Sequence, residues 1–221
     1  MLMVATAGLR AEDAAPTVGV SVDATFETKY LFRGLVLGED AVHPSIELSY
    51  SDFYAGIWGN AALGKKDSYP DNQEWDFYAG KNFKVSDTTS LDAGFTYYYY
   101  PEVHSDNDTH EGYIGINWDV SGFTPAVYAY YDFTLDAFTL QGSVGTSVPL
   151  EELGSSLDLT ASLGRVDGDG FDYVYWSVGA SVPFKLSDSS TLTVGATFAS
   201  NDLEGADDNN FSGSIGYSFS F

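Results

Sequence analysis

A chain of 221 residues with 32 acidic and 9 basic side chains carries a net charge of −23, which excludes a nucleic-acid partner because neutralising phosphates requires Lys and Arg. It contains no Cys, so disulfides and thiol chemistry are excluded too. The 16 Tyr, 15 Phe, 4 Trp and 23 Gly favour extended segments over helices, and no run reaches the ~18 apolar residues of a membrane helix.

Residues 1–15, MLMVATAGLRAEDAA, join a small apolar stretch to charge. They read either as the tail of a secretory signal peptide cleaved after Ala11 or as a disordered leader. The remainder, 16–221, reads as one domain. From Val18 onward a period of two sets in, and successive side chains of a strand point to opposite faces. Val18, Val20, Val22, Ala24 and Phe26 share one face, with Asp23, Thr25, Glu27 and Lys29 on the other. The segment 31–42, with Gly34, Gly38, Glu39 and Asp40, reads as a loop.

Strand two, over 43–51, sets Ile46, Leu48 and Tyr50 against Ser45 and Glu47. Strand three, 53–63, sets Phe53, Ala55 and Ile57 against Tyr54 and Trp58, and the loop 64–72 carries Lys65, Lys66, Asp67 and Asp71. Strand four opposes Trp75 and Phe77 to Glu74, Asp76 and Tyr78; strand five opposes Leu91, Phe95 and Tyr97 to Asp92, Tyr98 and Tyr100. After an acidic loop over 101–108, strand six sets Ile114 and Ile116 against Glu111 and Tyr113. Strand seven sets Val127, Ala129 and Tyr131 against Tyr128, Tyr130 and Asp132, and a two-residue turn at Leu135 and Asp136 leads to strand eight. Strand nine places Leu157, Leu159 and Leu163 opposite Asp158; the loop RVDGDG follows, then strand ten with Val174 and Trp176 opposite Tyr173 and Tyr175. Strand eleven, the acidic loop 201–210 and a last strand complete the chain.

That last strand, NNFSGSIGYSFSF, has Phe211, Ile215, Tyr217, Phe219 and Phe221 on one face and serines on the other. Ser214, Gly216, Phe219 and Phe221 resemble the carboxy-terminal assembly signal of bacterial outer-membrane proteins. The total is twelve strands, mostly of about 10 to 13 residues, where a tilted membrane-spanning strand needs ~9 to 11 and strands of globular proteins average ~5 to 6. The fold class expected is all-β: a transmembrane antiparallel up-and-down barrel. Turns near Asp52, Asp87, Ser121, Glu151 and Asp188 form one set, expected short and periplasmic. Those near Glu39, Lys66, Asp106, Asp136, Asp169 and Glu204 form the other, expected longer, more acidic and outward-facing.

Charge at bilayer depth is costly unless it faces water or a partner. The nine carboxylates Asp23, Glu27, Glu47, Glu74, Asp76, Asp92, Glu111, Asp132 and Asp158 all avoid the apolar register, so they point to a wet lumen. Lys29 and Arg33 join them at the outer end of the first strand, whereas Lys81 and Arg165 lie in the lipid register, near strand ends where long stems snorkel. Tyr54, Trp58, Tyr78, Tyr98, Tyr113, Tyr128 and Tyr130 complete the inward face. Such rings either stack on flat solutes or simply fill the lumen, the second being the plainer reading. His43, His104 and His110 have no nucleophile motif around them, so no enzyme is expected. Asp167, Asp169 and Asp172 fall short of a calcium loop, and neither metal nor cofactor is called for.

Tyr30, Phe32, Arg33 and Gly34, followed by Phe53, Tyr54, Ala55, Gly56 and Trp58, resemble the opening strands of the TorF-like family of proteobacterial outer-membrane porins. The resemblance implies a barrel and a pore in the outer membrane of a Gram-negative bacterium. Its partners are then outer-membrane lipid and lipopolysaccharide, the barrel assembly machinery, and small solutes or cations. The reading is a monomeric passive diffusion channel that prefers cations; the alternative is a filled barrel with a structural or surface-interaction role. Arg33 either reaches inward as a cation among acids or sits solvated at the rim.

Overall fold

The computed structural model describes residues 17–63, 73–105 and 107–221. The leader with Ala11, the loop carrying Lys65, Lys66, Asp67 and Asp71, and Asp106 lie outside the described residues. Twelve strands account for most of the rest: β1 (Val18–Phe32), β2 (Leu35–Tyr50), β3 (Phe53–Ala62), β4 (Gln73–Ser86), β5 (Thr89–Tyr99), β6 (Asp108–Trp118), β7 (Phe123–Asp132), β8 (Ala137–Leu150), β9 (Ser155–Gly168), β10 (Phe171–Lys185), β11 (Ser190–Asn201) and β12 (Asn209–Ser220). Each pairs antiparallel with the next, and β12 returns to β1 to close a barrel.

Closure leaves no unpaired edge, which is what a β structure needs in lipid. The register explains the alternation. Val22 stands opposite Ile46 and Phe219, while its neighbour Asp23 stands opposite Ser45 and Ser218. The first trio belongs to an outer surface of exposed apolar side chains that includes Leu48, Phe77, Leu163 and Val178. The second belongs to the inside. Two ends are distinguishable: a turn end, reached at Ser51, Asp87, Ser121, Glu151–Leu153 and Asp188, and a loop end opposite to it.

The expected loop over 31–42 is instead a hairpin. β1 continues to Phe32, β2 starts at Leu35, and only Arg33 and Gly34 connect them. A bulge between Tyr30 and Leu31 resets the pairing there, so the period of two that betrays a strand is broken locally. RVDGDG behaves similarly: β9 runs to Gly168 and β10 begins at Phe171, leaving Asp169 and Gly170 as the turn. The connection at Leu135 and Asp136 is longer than expected, spanning 133–136. The loop end is therefore not uniformly long-looped. Two of its six connections are two-residue turns on extended hairpins.

Candidate functional site

The inner face identifies itself by bonds that cross the barrel between strands that are not neighbours. The Tyr54 hydroxyl on β3 donates to Asp92 on β5 at 2.8 Å and meets the Tyr113 hydroxyl on β6 at 2.5 Å. Tyr128 on β7 donates to the other oxygen of Asp92 at 3.1 Å and is itself held by Asn117. Tyr78 donates to Glu47 at 3.1 Å. Contacts of this kind pass through the interior, so the predicted tyrosines and carboxylates do face one another there.

The rings do not stand upright. Tyr54 pairs with Gly80, Tyr78 with Gly56, Tyr113 with Gly94, Tyr128 with Gly115 and Tyr175 with Gly164, each directly across the ladder. A Cβ added at Gly115 would lie 2.3 Å from Tyr128 Cε1, and one at Gly164 would lie 2.4 Å from Tyr175 Cζ. Each ring thus lies flat over the bare backbone of the next strand. Tyr54, Tyr78, Tyr113 and Tyr128 coat the wall from β3 to β7 in this way, and Tyr175 does so on β10.

The facing wall, from β8 to β12, is built mostly of small groups, apart from Gln141, Val166, Tyr173 and Tyr175 toward the loop end. Ser143, Thr160, Ser162, Ser177, Gly179, Thr193, Gly195, Ser214 and Gly216 occupy the inward register there, and Ser162 and Ser177 share a hydrogen bond of 2.7 Å. At the turn end this wall opens into a vestibule of about 460 Å³ whose lining includes Ser147, Ser156, Lys185 and Ser218. Asp158 sits here, accepting from Ser147 and Ser156.

At the loop end the β1–β2 hairpin leaves the wall. Backbone pairing of β1 with β12 stops at Glu27 and Ser214; beyond it, side chains replace the ladder. Ser212 Oγ accepts from the Lys29 amide at 3.1 Å and donates to its carbonyl at 2.7 Å, and Thr28 Oγ1 accepts from the Gly213 amide. The tip then lies across the lumen. Arg33 Nη2 reaches both carboxylate oxygens of Glu111 on β6 at 2.8 Å, with its guanidinium 4.7 Å from the Phe32 ring centroid and 4.8 Å from that of Tyr130. The pair is largely buried, with side-chain exposures of 14% and 4%. Tyr98 donates to the same Glu111 at 3.1 Å. Leu35 packs on the cluster of Val166, Tyr173 and Tyr175, and Asn201 Nδ2 donates to the Gly34 carbonyl at 3.0 Å. Arg33 thus points inward, to Glu111, rather than into solvent at the rim.

The other expected positions fall into place around this. Asp23 accepts from Ser45, Glu27 lies 3.7 Å from His43 Nε2, and Lys29 Nζ donates to Asn210. Trp58 is buried, stacked on His43 at 4.9 Å and packed with Tyr30 and Ala41 beneath the hairpin base. Glu74 and Asp76 are buried on β4 below it, among Tyr30, Tyr98 and Tyr100. Asp132 does not line free space: its Oδ1 caps the amides of Thr134 and Leu135 in the turn after β7. On the outside, Arg165 pairs with Asp172 at 2.7 Å and Lys81 lies over the rings of Phe53 and Phe83. Ser214, Gly216 and Phe219 lie on β12, and Phe221 exchanges two backbone bonds with Val20. Sequence reasoning missed Gln141, which accepts from Tyr175 at 2.6 Å, and the docking residues Leu35, Asn201 and Ser212. Nothing in a polar residue on an alternating strand announces a partner far away in the chain.

Residues 10–218 match the model of a family described as "Bacterial protein of unknown function (Gcw_chp)". No curated protein matches the chain in sequence. Among solved structures, the KdgM porin in complex with disordered oligogalacturonate is 13% identical, with 91% of this chain and 99% of that chain covered and a TM-score of 0.63. The COG4313 outer membrane channel from Pseudomonas putida F1 is 11% identical, with 96% and 97% covered and a TM-score of 0.56. The translocator domain of autotransporter NalP from Neisseria meningitidis is 13% identical, with 95% and 90% covered and a TM-score of 0.51. At such identities the likeness is one of fold, and the same architecture hosts different tasks. The protein is a closed twelve-stranded antiparallel barrel with an apolar outer surface, the fold of those outer-membrane barrels.

Proposed function

This chain belongs to the Gcw_chp family, and we propose that it is a passive diffusion channel for small hydrophilic solutes with a preference for cations. The observation that carries this reading is the sign of the inner face. Nine carboxylates, Asp23, Glu27, Glu47, Glu74, Asp76, Asp92, Glu111, Asp132 and Asp158, share it with the bases Lys29, Arg33 and, at the turn-end vestibule, Lys185; Arg33 is already bound to Glu111 and Lys185 pairs with Asp188. A low-dielectric wall focuses the remaining field along the passage. The porin and channel neighbours support the same reading. One neighbour holds oligogalacturonate, an acidic sugar chain; the acidic lumen here argues against a polyanionic solute.

The serine-rich wall gives the route and the tyrosine-coated wall gives its flat, hydrogen-bonding side. Lipid and lipopolysaccharide then contact only the apolar surface, the barrel assembly machinery reads Ser214, Gly216, Phe219 and Phe221, and the barrel works as a monomer. In a planar bilayer under a salt gradient the reversal potential takes the cation-selective sign. Replacing Glu27, Glu47, Glu74 and Asp92 by their amides moves it toward zero. An anion-selective sign in the unmodified protein defeats the proposal. One observation favours a second reading, a closed barrel with a surface role: the hairpin tip lies across the mouth. Silence at every voltage and salt concentration, even with the tip removed, selects it.

A further inference from the structure

The β1–β2 hairpin reaches past the barrel wall and docks on the opposite side of the lumen. Its turn, Arg33 and Gly34, has φ of +49° and +83°, the two positive values a tight hairpin turn of the primed kind requires. Gly34 suits this conformation, and its place admits nothing larger: a Cβ there would lie 2.6 Å from Tyr175 Cβ. Arg33 does not suit it, since a long side chain in the left-handed region is strained, and such strain collects where a side chain has work to do. Here the strain aims a guanidinium at Glu111, on the far side of the ring from β1.

Three features make the docked tip separable from the wall. Its two strands pair with each other, from Lys29 opposite Glu39 to Phe32 opposite Leu35, and no ladder joins this part of β1 to β12. Among the contacts that hold it to the barrel are the Arg33–Glu111 pair, Leu35 on the Val166 cluster, Asn201 on the Gly34 carbonyl and, at its base, Ser212 on the Lys29 backbone. Two irregularities mark its base, the bulge at Tyr30/Leu31 and Asp40 at φ +47°. Below that base Tyr30, Ala41 and Trp58 anchor the hairpin in a buried cluster. The tip also lies where it matters, over Tyr173 and Tyr175 at the loop end of the serine wall.

We infer that the tip of the β1–β2 hairpin is the gate of this passage, latched shut by Arg33 on Glu111 and opened when the tip leaves Glu111 and the Val166 cluster. The inference rests on the channel reading above, so the experiment separates the two. Arg33→Ala and, as a milder variant, Glu111→Gln are compared with the unmodified protein in planar bilayers. Boiled and unboiled samples are run on a detergent gel to show that each barrel has closed. Both variants give single-channel conductance at least twofold larger, or openings that are correspondingly more frequent. In a second arm, Leu35→Cys and Val166→Cys, in a chain without other cysteines, are joined by a short reducible thiol cross-linker. The link holds conductance at or below the unmodified level, and reduction raises it. Conductance that is cation-selective yet indifferent to both variants and to the cross-link overturns the gate and leaves the channel standing. A cross-link that fails to form in the closed barrel overturns the docked tip. Silence in every variant, including one with residues 31–36 replaced by Gly-Gly, overturns the channel itself.

Discussion

Tyr128 lies over Gly115 with its hydroxyl shared between Asp92 and Asn117, and that arrangement decides how much of the lumen one ring occupies. Glycine in a strand costs roughly 0.5 to 1 kcal/mol relative to Ala. A flat aromatic cover offsets this by removing apolar ring surface and bare backbone from water together. Substituting Gly115→Val puts a Cβ about where the ring edge now is, at 2.3 Å, so the ring must swing off the wall. Two hydrogen bonds go with it, a loss of about 1 to 3 kcal/mol. The expected result is a closed but less stable barrel with smaller conductance, and adding Tyr128→Ala restores the conductance while leaving stability low. If Gly115→Val leaves conductance unchanged, the rings do not set the width. At this scale the sequence was half legible. The inward acids could be read from it because charge avoids lipid. The Gly–Tyr partnerships could not, since they exist only once neighbouring registers are known. The Arg33–Glu111 pair, 78 residues apart, left no local trace at all.

Among the elements, strand existence was plain because twelve segments alternate, and their lengths argued for a membrane. The hairpin was not plain. LFRGLVLGED carries Gly, Glu and Asp at loop-like spacing, and the bulge removes the one periodic signal that would outvote them. Its departure from the wall depends on a handful of side chains on β12. Ser212, which is buried, serves both the amide and the carbonyl of Lys29, standing in for the ladder partner that β1 has left behind. Ser212→Ala removes both bonds and weakens the docked hairpin by about 1 to 2 kcal/mol, which multiplies the population of the undocked tip roughly five- to thirtyfold. Hydrogen exchange should report it as faster exchange of the amides over 31–36, with those of β7 and β8 unchanged. Equal protection at 31–36 in variant and parent would assign the anchoring to the Tyr30–Trp58 cluster instead.

For the whole molecule, two properties act together in the same passage and respond differently to salt. The cation preference comes from carboxylates that border water in the lumen, and water with ions screens them. As ionic strength rises from 0.1 M to 1 M the Debye length falls from ~10 Å to ~3 Å, so the selectivity should decline steeply over that range. The latch is another matter. Arg33 and Glu111 are 14% and 4% exposed and touch at 2.8 Å, with Phe32, Tyr130 and Tyr98 around them. Screening ions do not fit between such groups, and a buried pair is screened far less than an exposed one. Raising the salt should therefore bring the reversal potential toward zero without releasing the tip. The size limit, measured as the largest neutral polymer that enters and lowers conductance, should stay where it is. It should grow only in Arg33→Ala or Glu111→Gln, and at every salt concentration alike. A size limit that widens with salt in the parent protein would mean that the latch is wet, and that surface electrostatics rather than a dry ion pair hold the mouth.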